Sequence, residues 1–195
     1  MVKNPERRTH LLDAAVEVLA ALGARGLTFR AVDTRAEVPT GTASNYFTSR
    51  ADLLRQVGDH VFVRLAPPPG ANEPEVPEDD TVGSVLMRAI VERAEADRAG
   101  YLALVELRLE AARDPRLNEA FTQRIRHNLD AIIGEYAGAG LPDDRFTPIM
   151  LYLAMNGLLL DHLTLPKVLA EEGDGDLVGK LVSVIVPRED SDEPD

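Results

Sequence analysis

The sequence predicts an all-α fold in which a small N-terminal head of three helices is joined by a linking helix to a larger C-terminal helical bundle. Apolar residues recur at helical spacing through most of the chain, and glycines and prolines end these patterns at intervals. No stretch alternates with period 2 between turn signals except Val182-Ser183-Val184, which fits the helical period equally well. Helices without strands must bury their apolar stripes against one another, as in a helical bundle.

Composition predicts a cytoplasmic protein that does not bind membranes. The chain has 195 residues and no cysteine, which excludes disulfide frameworks and thiolate metal sites. The N-terminus lacks the apolar core of a signal peptide, because Asp13 and Glu17 interrupt it. The longest apolar run, over residues 149–160, has 12 residues and is too short to cross a bilayer.

The predicted elements follow from apolar periodicity and from helix-breaking residues. In chain order they are a helix over 5–22 ended by Gly23, two short helices over 28–36 and 40–47, a linking helix over 51–65, a bent or divided helix over 81–113 with its break near Gly100, and helices over 116–136, 146–165 and 176–186. Residues 66–80 hold five prolines and five acidic residues and no apolar period, which indicates an exposed loop. The predicted domains are therefore 1–65, the loop 66–80, 81–187 and a disordered acidic tail over 188–195.

The most specific pattern lies in residues 28–55. Apolar residues between Phe29 and Ala36 have helical spacing and form one inward stripe. Pro39 cannot continue this helix, because it lacks an N–H, but it can open a second helix, which we predict over 40–47.

This second helix is too short to be stable alone, so Ala43 and Phe47 must hold it by packing. Its other face carries small, neutral, hydrogen-bonding side chains, namely Thr42, Ser44, Asn45 and Tyr46. Ser49 followed by Asp52 is typical of a capped helix start. Two short helices, a tight turn between them and a polar outward face make the layout of a DNA-binding helix-turn-helix.

This stretch resembles the DNA-binding signature of the TetR family of bacterial repressors, in the run TFRAVDTRAEVPTGTASNYFTSRADLL. The resemblance covers about 50 residues, from Arg8 to Val57. Threonine and phenylalanine precede the second helix, glycine-threonine lies in the third, and tyrosine-phenylalanine is followed by a small residue, a basic residue and an apolar helix. The resemblance implies a helical C-terminal domain with an effector pocket.

The predicted DNA-binding residues are Thr28, Arg30, Thr40, Gly41, Thr42, Ser44, Asn45, Tyr46 and Arg50. Thr28 can cap the second helix, and the resemblance implies that it also contacts phosphate. The resemblance further assigns phosphate contacts to Thr40, Tyr46 and Arg50, where Arg50 replaces the more usual lysine. Asn45 suits adenine, and no lysine or arginine lies between Ala36 and Ser49, so the commonest guanine contact is missing from this helix.

Charge is distributed unevenly along the chain, whose net charge is −12. Residues 1–65 hold nine basic and seven acidic side chains, a net charge of +2, and residues 66–195 hold 12 and 26, a net charge of −14. The acidic half either repels DNA and so limits non-specific binding, or serves solubility alone. Both interpretations stay open.

Four polar residues lie within apolar faces of the predicted bundle, namely Glu106, Asn128, Tyr152 and Asn156. Buried polar groups need hydrogen-bond partners. They either orient a mainly apolar small molecule in a cavity between helices, or satisfy one another or meet a dimer partner. The effector pocket that the resemblance implies lies in this region.

The histidines indicate no catalytic or metal site, because the four of them fall on four separate predicted helices. No HExxH, GxSxG or Walker pattern occurs, and we expect neither an enzyme nor a metal or cofactor.

The sequence favours a homodimeric repressor of the TetR type that binds double-stranded operator DNA and is released by a small-molecule effector. The two most apolar predicted helices, over 146–165 and 176–186, lie last, and we expect them to pair with their copies in the dimer. The alternative is a constitutive dimeric DNA-binding regulator whose C-terminal domain only dimerises or binds a protein partner.

Overall fold

A computed structural model describes residues 4–67, 75–77, 80–138, 145–169 and 177–186. In these ranges the chain forms nine α-helices and no strand, which confirms the all-α prediction. Their bounds are α1 (Pro5–Gly26), α2 (Phe29–Arg35), α3 (Thr42–Tyr46), α4 (Arg50–Arg64), α5 (Val82–Ala96), α6 (Arg98–Ala111), α7 (Pro115–Gly138), α8 (Phe146–Thr164) and α9 (Leu177–Ile185). The predicted acidic tail and most of the predicted loop over 66–80 lie outside the described residues.

The helices pack into two compact units. Unit 1 comprises Met1–Pro67 and Arg93–Ile125, and unit 2 comprises Pro68–Glu92 and Arg126–Asp195. In unit 1, α1 packs against α2, α4 and α6, and α4 also packs against α6. Fully buried side chains from α1, α4 and α6 form its core, among them Leu11, Val16, Leu19, Val57, Val61 and Leu107. The head therefore shares a hydrophobic core with α6, while the domain boundaries drawn from composition stay a prediction.

Helix α1 is broken at Gly23, as the sequence predicts. Asn4 caps the start of α1 by accepting a hydrogen bond of 3.2 Å from the Arg7 N–H. Gly23 has a φ of +68°, which other residues rarely adopt, and one further turn continues to Gly26. A Cβ atom at Gly23 would lie 3.1 Å from Oε2 of Glu106, so glycine also permits the close approach of α6.

The predicted start of α3 is wrong by two residues, since α3 begins at Thr42 and Thr40 lies in the preceding turn. Gly41 is the N-cap and has a φ of +94°, a left-handed conformation through which a helix cannot run. The Thr42 N–H donates to the Pro39 carbonyl oxygen at 3.1 Å. The left-handed turn, and not Pro39, therefore sets where the helix begins.

Of the two predicted forms, a bent helix or two helices with a break near Gly100, the structure has two helices, and the break lies at Asp97, three residues before Gly100. Asp97 is the N-cap of α6, and its Oδ1 accepts the Gly100 N–H at 3.0 Å. A Cβ atom at Gly100 would lie 2.4 Å from Oδ2 of Asp97. Glycine is therefore needed inside the first turn of α6, where it makes room for the cap.

The remaining helices agree with their predicted ranges within two residues at each end. In unit 2, α8 packs against α9. In the single chain one apolar face of α8 is exposed. The exposed apolar side chains of this face are Phe146, Met150, Leu153 and Leu160. Their spacing of four, three and seven residues places them on one stripe of the helix.

Candidate nucleic-acid interface

Helix α3 presents the polar face that the sequence predicts. Ala43 and the C-cap residue Phe47 are buried beneath it, and Ser44 and Asn45 are exposed. The Asn45 amide has no hydrogen-bond partner within the part of the chain that the structure describes. It can therefore make the paired hydrogen bonds that an asparagine forms with N6 and N7 of adenine.

The hydroxyl groups of Thr42 and Ser44 on α3 donate their hydrogens to the backbone. Thr42 Oγ1 donates to the Pro39 carbonyl oxygen at 2.6 Å, and Ser44 Oγ donates to the Gly41 carbonyl oxygen at 2.7 Å. Each hydroxyl oxygen keeps lone pairs that can accept a further hydrogen bond. These two side chains can therefore accept hydrogen bonds from a donor on a bound molecule, while the Thr42 methyl group suits a thymine methyl.

Asp33 on α2 holds α3 in place, and the sequence analysis missed it. Its side chain is 2% exposed. Oδ2 accepts the Gly41 N–H and Oδ1 accepts the Ala43 N–H, each at 2.7 Å. These amides lie at the start of α3, where N–H groups have no partner within the helix and a negative charge is favoured. The one sequence signal for this role is an acidic residue that directly follows Val32 of the inward stripe.

The residues matched to phosphate contacts lie at the ends of helices or in the turn. Thr28 is the N-cap of α2, and its Oγ1 accepts the Ala31 N–H at 3.1 Å, which is the predicted capping role. Arg30 and Thr40 are exposed, and Tyr46 is half-buried against the core of unit 1.

Arg50, the first residue of α4, has its guanidinium group held at two points of unit 1. NH1 donates to Oε1 of Glu110 at 3.1 Å, and NH2 donates to the Ala24 carbonyl oxygen at 2.6 Å. The side chain is 46% exposed. Because a guanidinium group carries five N–H donors, further donors remain for a phosphate oxygen.

Asp52 fixes the connection between α3 and α4. Ser49 Oγ accepts the Asp52 N–H at 3.1 Å, which is the predicted cap. The Asp52 carboxylate accepts the Gln56 amide at 2.9 Å and the Thr48 N–H at 3.0 Å. These hydrogen bonds hold the pKa of Asp52 well below its usual value. Oε1 of Gln56 in turn accepts a hydrogen bond of 3.0 Å from Nε of Arg8, which connects α1 to the same network.

The four predicted effector residues are divided between the two units. Asn128 on α7 and Tyr152 and Asn156 on α8 belong to unit 2, and Glu106 on α6 belongs to unit 1. The Asn156 amide donates to the Tyr152 carbonyl oxygen at 2.6 Å. Oε2 of Glu106 accepts the Ala24 N–H at 3.2 Å. Glu106 and Asn156 thus have partners within the described part of the chain, and the pocket role of the set stays a prediction.

Over the ranges that the structure describes, no helix combines the length and the hydropathy that a membrane span needs. Within those same ranges, no group of three or more histidine, cysteine or acidic side chains is arranged so that it could hold a metal ion.

Two family models match the chain. The model of bacterial regulatory proteins of the tetR family matches residues 11–57, which hold the helix-turn-helix. The model of the tetracyclin repressor-like C-terminal domain matches residues 78–188. No curated protein matches the sequence.

Solved structures share this fold over almost the whole chain. A TetR-family member from Streptomyces coelicolor A3 is 26% identical, with a TM-score of 0.69 over 94% of this chain and 100% of that chain. The multidrug binding protein EbrR in complex with malachite green is 26% identical, with a TM-score of 0.62 over 94% and 100% of the two chains. EbrR in complex with imidazole is 25% identical, with a TM-score of 0.62 over 96% and 99%.

The matched N-terminal region contains the helix-turn-helix that the structure shows, and the matched C-terminal region contains α5 to α9. The family model of the C-terminal domain alone spans more than half of the sequence. The chain belongs to the tetR family of bacterial regulatory proteins and is a DNA-binding transcriptional regulator.

Proposed function

We propose that this regulator is a homodimeric repressor that binds its operator through α3. A small molecule that binds in the C-terminal bundle releases it from the DNA. The observation that carries the DNA-binding half is the exposed Asn45 amide on a helix whose start is fixed by Asp33. Phosphate contacts by Thr28, Thr40, Tyr46 and Arg50 would set the register of the head, because contacts to the backbone position a protein without reading sequence. Arg30 is exposed on α2, and its positive charge would attract the phosphates of DNA.

The similarity to EbrR, solved with malachite green and with imidazole, supports a small-molecule effector. Residues 66–195 carry a net charge of −14, and a negative field favours cationic ligands over anionic ones. We propose an apolar organic cation, oriented by Asn128, Tyr152 and Asn156. For Glu106 we propose a structural role, because its carboxylate already accepts a backbone N–H of the head.

The exposed apolar stripe of α8 supports dimerisation through the last two helices. Leu153 is 55% exposed, and Val184 on α9 is 85% exposed. Contiguous apolar surface of this kind is typical of a protein interface. Gly157 lies in the same stripe, and among the described residues no atom lies within 4 Å of the position of a Cβ there, so a second helix can approach closely.

The proposed release is tested by transcription in vitro from a promoter that overlaps a binding site selected from random DNA. We expect the protein to lower transcription and malachite green to restore it. Because binding free energies are reciprocal, operator DNA should weaken dye binding by the factor by which dye weakens operator binding, about 5- to 150-fold. The dye with DNA alone is the control. Repression that no member of a panel of organic cations relieves, with no ligand raising the melting temperature, would favour the constitutive alternative.

Base reading by α3 is tested by selecting binding sites from a random duplex pool with the wild type and with Asn45→Ala. We expect an A·T pair at one position of each half-site, because the Asn45 amide matches adenine. Loss of the amide should cost about 1–3 kcal/mol at that pair and leave other positions unchanged. Asn118→Ala, which changes an exposed asparagine on α7, is the matched control. An unchanged preference in Asn45→Ala would contradict the assignment.

The dimer interface is tested with two leucines of similar exposure. Leu153 on the α8 stripe is 55% exposed, and Leu109 on α6 is 48% exposed. We expect Leu153→Glu to be monomeric by light scattering and to lose operator binding, because a charge cannot be buried without a partner. Leu109→Glu should stay dimeric. A dimeric Leu153→Glu, or a monomeric wild type, would refute this interface.

A further inference from the structure

Two carboxylates of α6 reach the head where α4 begins. Glu106 and Glu110 are four residues apart and therefore lie on one face of α6. Glu106 accepts the Ala24 N–H at 3.2 Å, and Glu110 accepts NH1 of Arg50 at 3.1 Å. NH2 of Arg50 donates to the Ala24 carbonyl oxygen at 2.6 Å. Both backbone groups of Ala24 are thus engaged, and α6 is joined to the break in α1 and to Arg50 together.

The contact between Arg50 and Glu110 lies at the edge of unit 1. The arginine side chain is 46% exposed and the glutamate side chain is 20% exposed. The second carboxylate oxygen of Glu110 faces Arg113, whose NH1 is 4.0 Å away. Glu110 is therefore the better buried partner, and it partly neutralises the guanidinium charge before any DNA is bound.

We propose that Glu110 competes with DNA phosphate for Arg50 and so sets how much this arginine contributes to operator binding. The inference rests on the proposed function, in which Arg50 contacts phosphate. Glu110 already accepts a hydrogen bond from NH1 of Arg50, so a phosphate can use both NH1 hydrogens and the full guanidinium charge only when this contact is released.

This competition links DNA affinity to the position of α6. Arg50 is carried by α4 and Glu110 by α6, and these helices pack directly against each other. A smaller distance between the two side chains favours the internal pair, and a larger distance frees the arginine for phosphate. Glu110 is thus a positioning residue, which acts on DNA only through Arg50.

The test measures affinity for a selected operator duplex as a function of salt concentration. Glu110→Gln keeps the shape of the side chain and removes its charge. We expect it to bind DNA about two- to fivefold more tightly than the wild type at low salt, as the loss of a partly exposed ion pair allows. The gain should shrink as salt rises. Glu110→Ala, which removes the carboxylate by truncation, should change affinity in the same direction.

The Arg50→Ala background separates competition from a general effect of charge. There we expect Glu110→Gln to have no effect, and Glu119→Gln, an exposed acidic position on α7, to leave affinity unchanged in either background. An equal gain from Glu119→Gln, a gain that persists without Arg50, or no gain from Glu110→Gln would overturn the competition. Failure of the wild type to select any DNA would instead overturn the proposed function.

Discussion

The buried carboxylate of Asp33 is the interaction on which the DNA-binding surface depends. Helix α3 has five residues, too few to be stable in isolation, and its first amides lack partners within the helix. Asp33 supplies both missing acceptors from α2, at 2.7 Å each, while Ala43 and Phe47 bury the inner face of α3. A carboxylate is tolerated in the core only when it is hydrogen-bonded in this way. The position of Asn45, which we propose reads DNA, follows from the same bonds, because Asn45 lies only two residues beyond Ala43.

Carboxylates play a similar part where the head meets α6, and they tie both ends of α4 to that helix. At the start of α4, Arg50 pairs with Glu110; at its end, Nε and NH2 of Arg64 donate to the two oxygens of Asp97 at 2.8 and 2.6 Å. Burial alone would raise the pKa of Asp97, but hydrogen bonds from Arg64 and from the Gly100 N–H outweigh it and lower the pKa. Burial likewise opposes the charge of Arg64, and the Asp97 carboxylate nevertheless raises its pKa. The apolar face of α4 is buried between these ends, so α4 and α6 are held by packing and by charge together.

The helices could be predicted from the sequence, but the contacts between residues far apart in the chain could not. Apolar periodicity marks α1, α4 and α7 to α9, and side-chain caps such as Ser49 act on neighbours three residues away. The role of Asp33 depends instead on a side chain that accepts hydrogen bonds from backbone groups eight and ten residues further along the chain. For Glu106 and Ala24 the partners are 82 residues apart. Such pairs leave no periodic signal, and a single sequence does not reveal them. Of the residues predicted to bind DNA, Thr42, Ser44, Asn45 and Tyr46 lie on α3 as predicted, whereas Thr40 and Gly41 precede that helix. Glu106, predicted for the effector pocket, lies against the head.

The central claim is that Asp33 holds α3 in the conformation that meets DNA, and amide hydrogen exchange measures this directly. In Asp33→Asn one of the two acceptor oxygens becomes an N–H donor of the same size. Exchange at whichever amide loses its acceptor, Gly41 or Ala43, should then be faster by about 5- to 150-fold, as expected for a lost buried hydrogen bond of about 1–3 kcal/mol, while amides in the middle of α1 stay protected. Asp59→Asn, an exposed aspartate on α4, should leave exchange at Gly41 and Ala43 unchanged. Unchanged protection of both amides in Asp33→Asn would contradict the account.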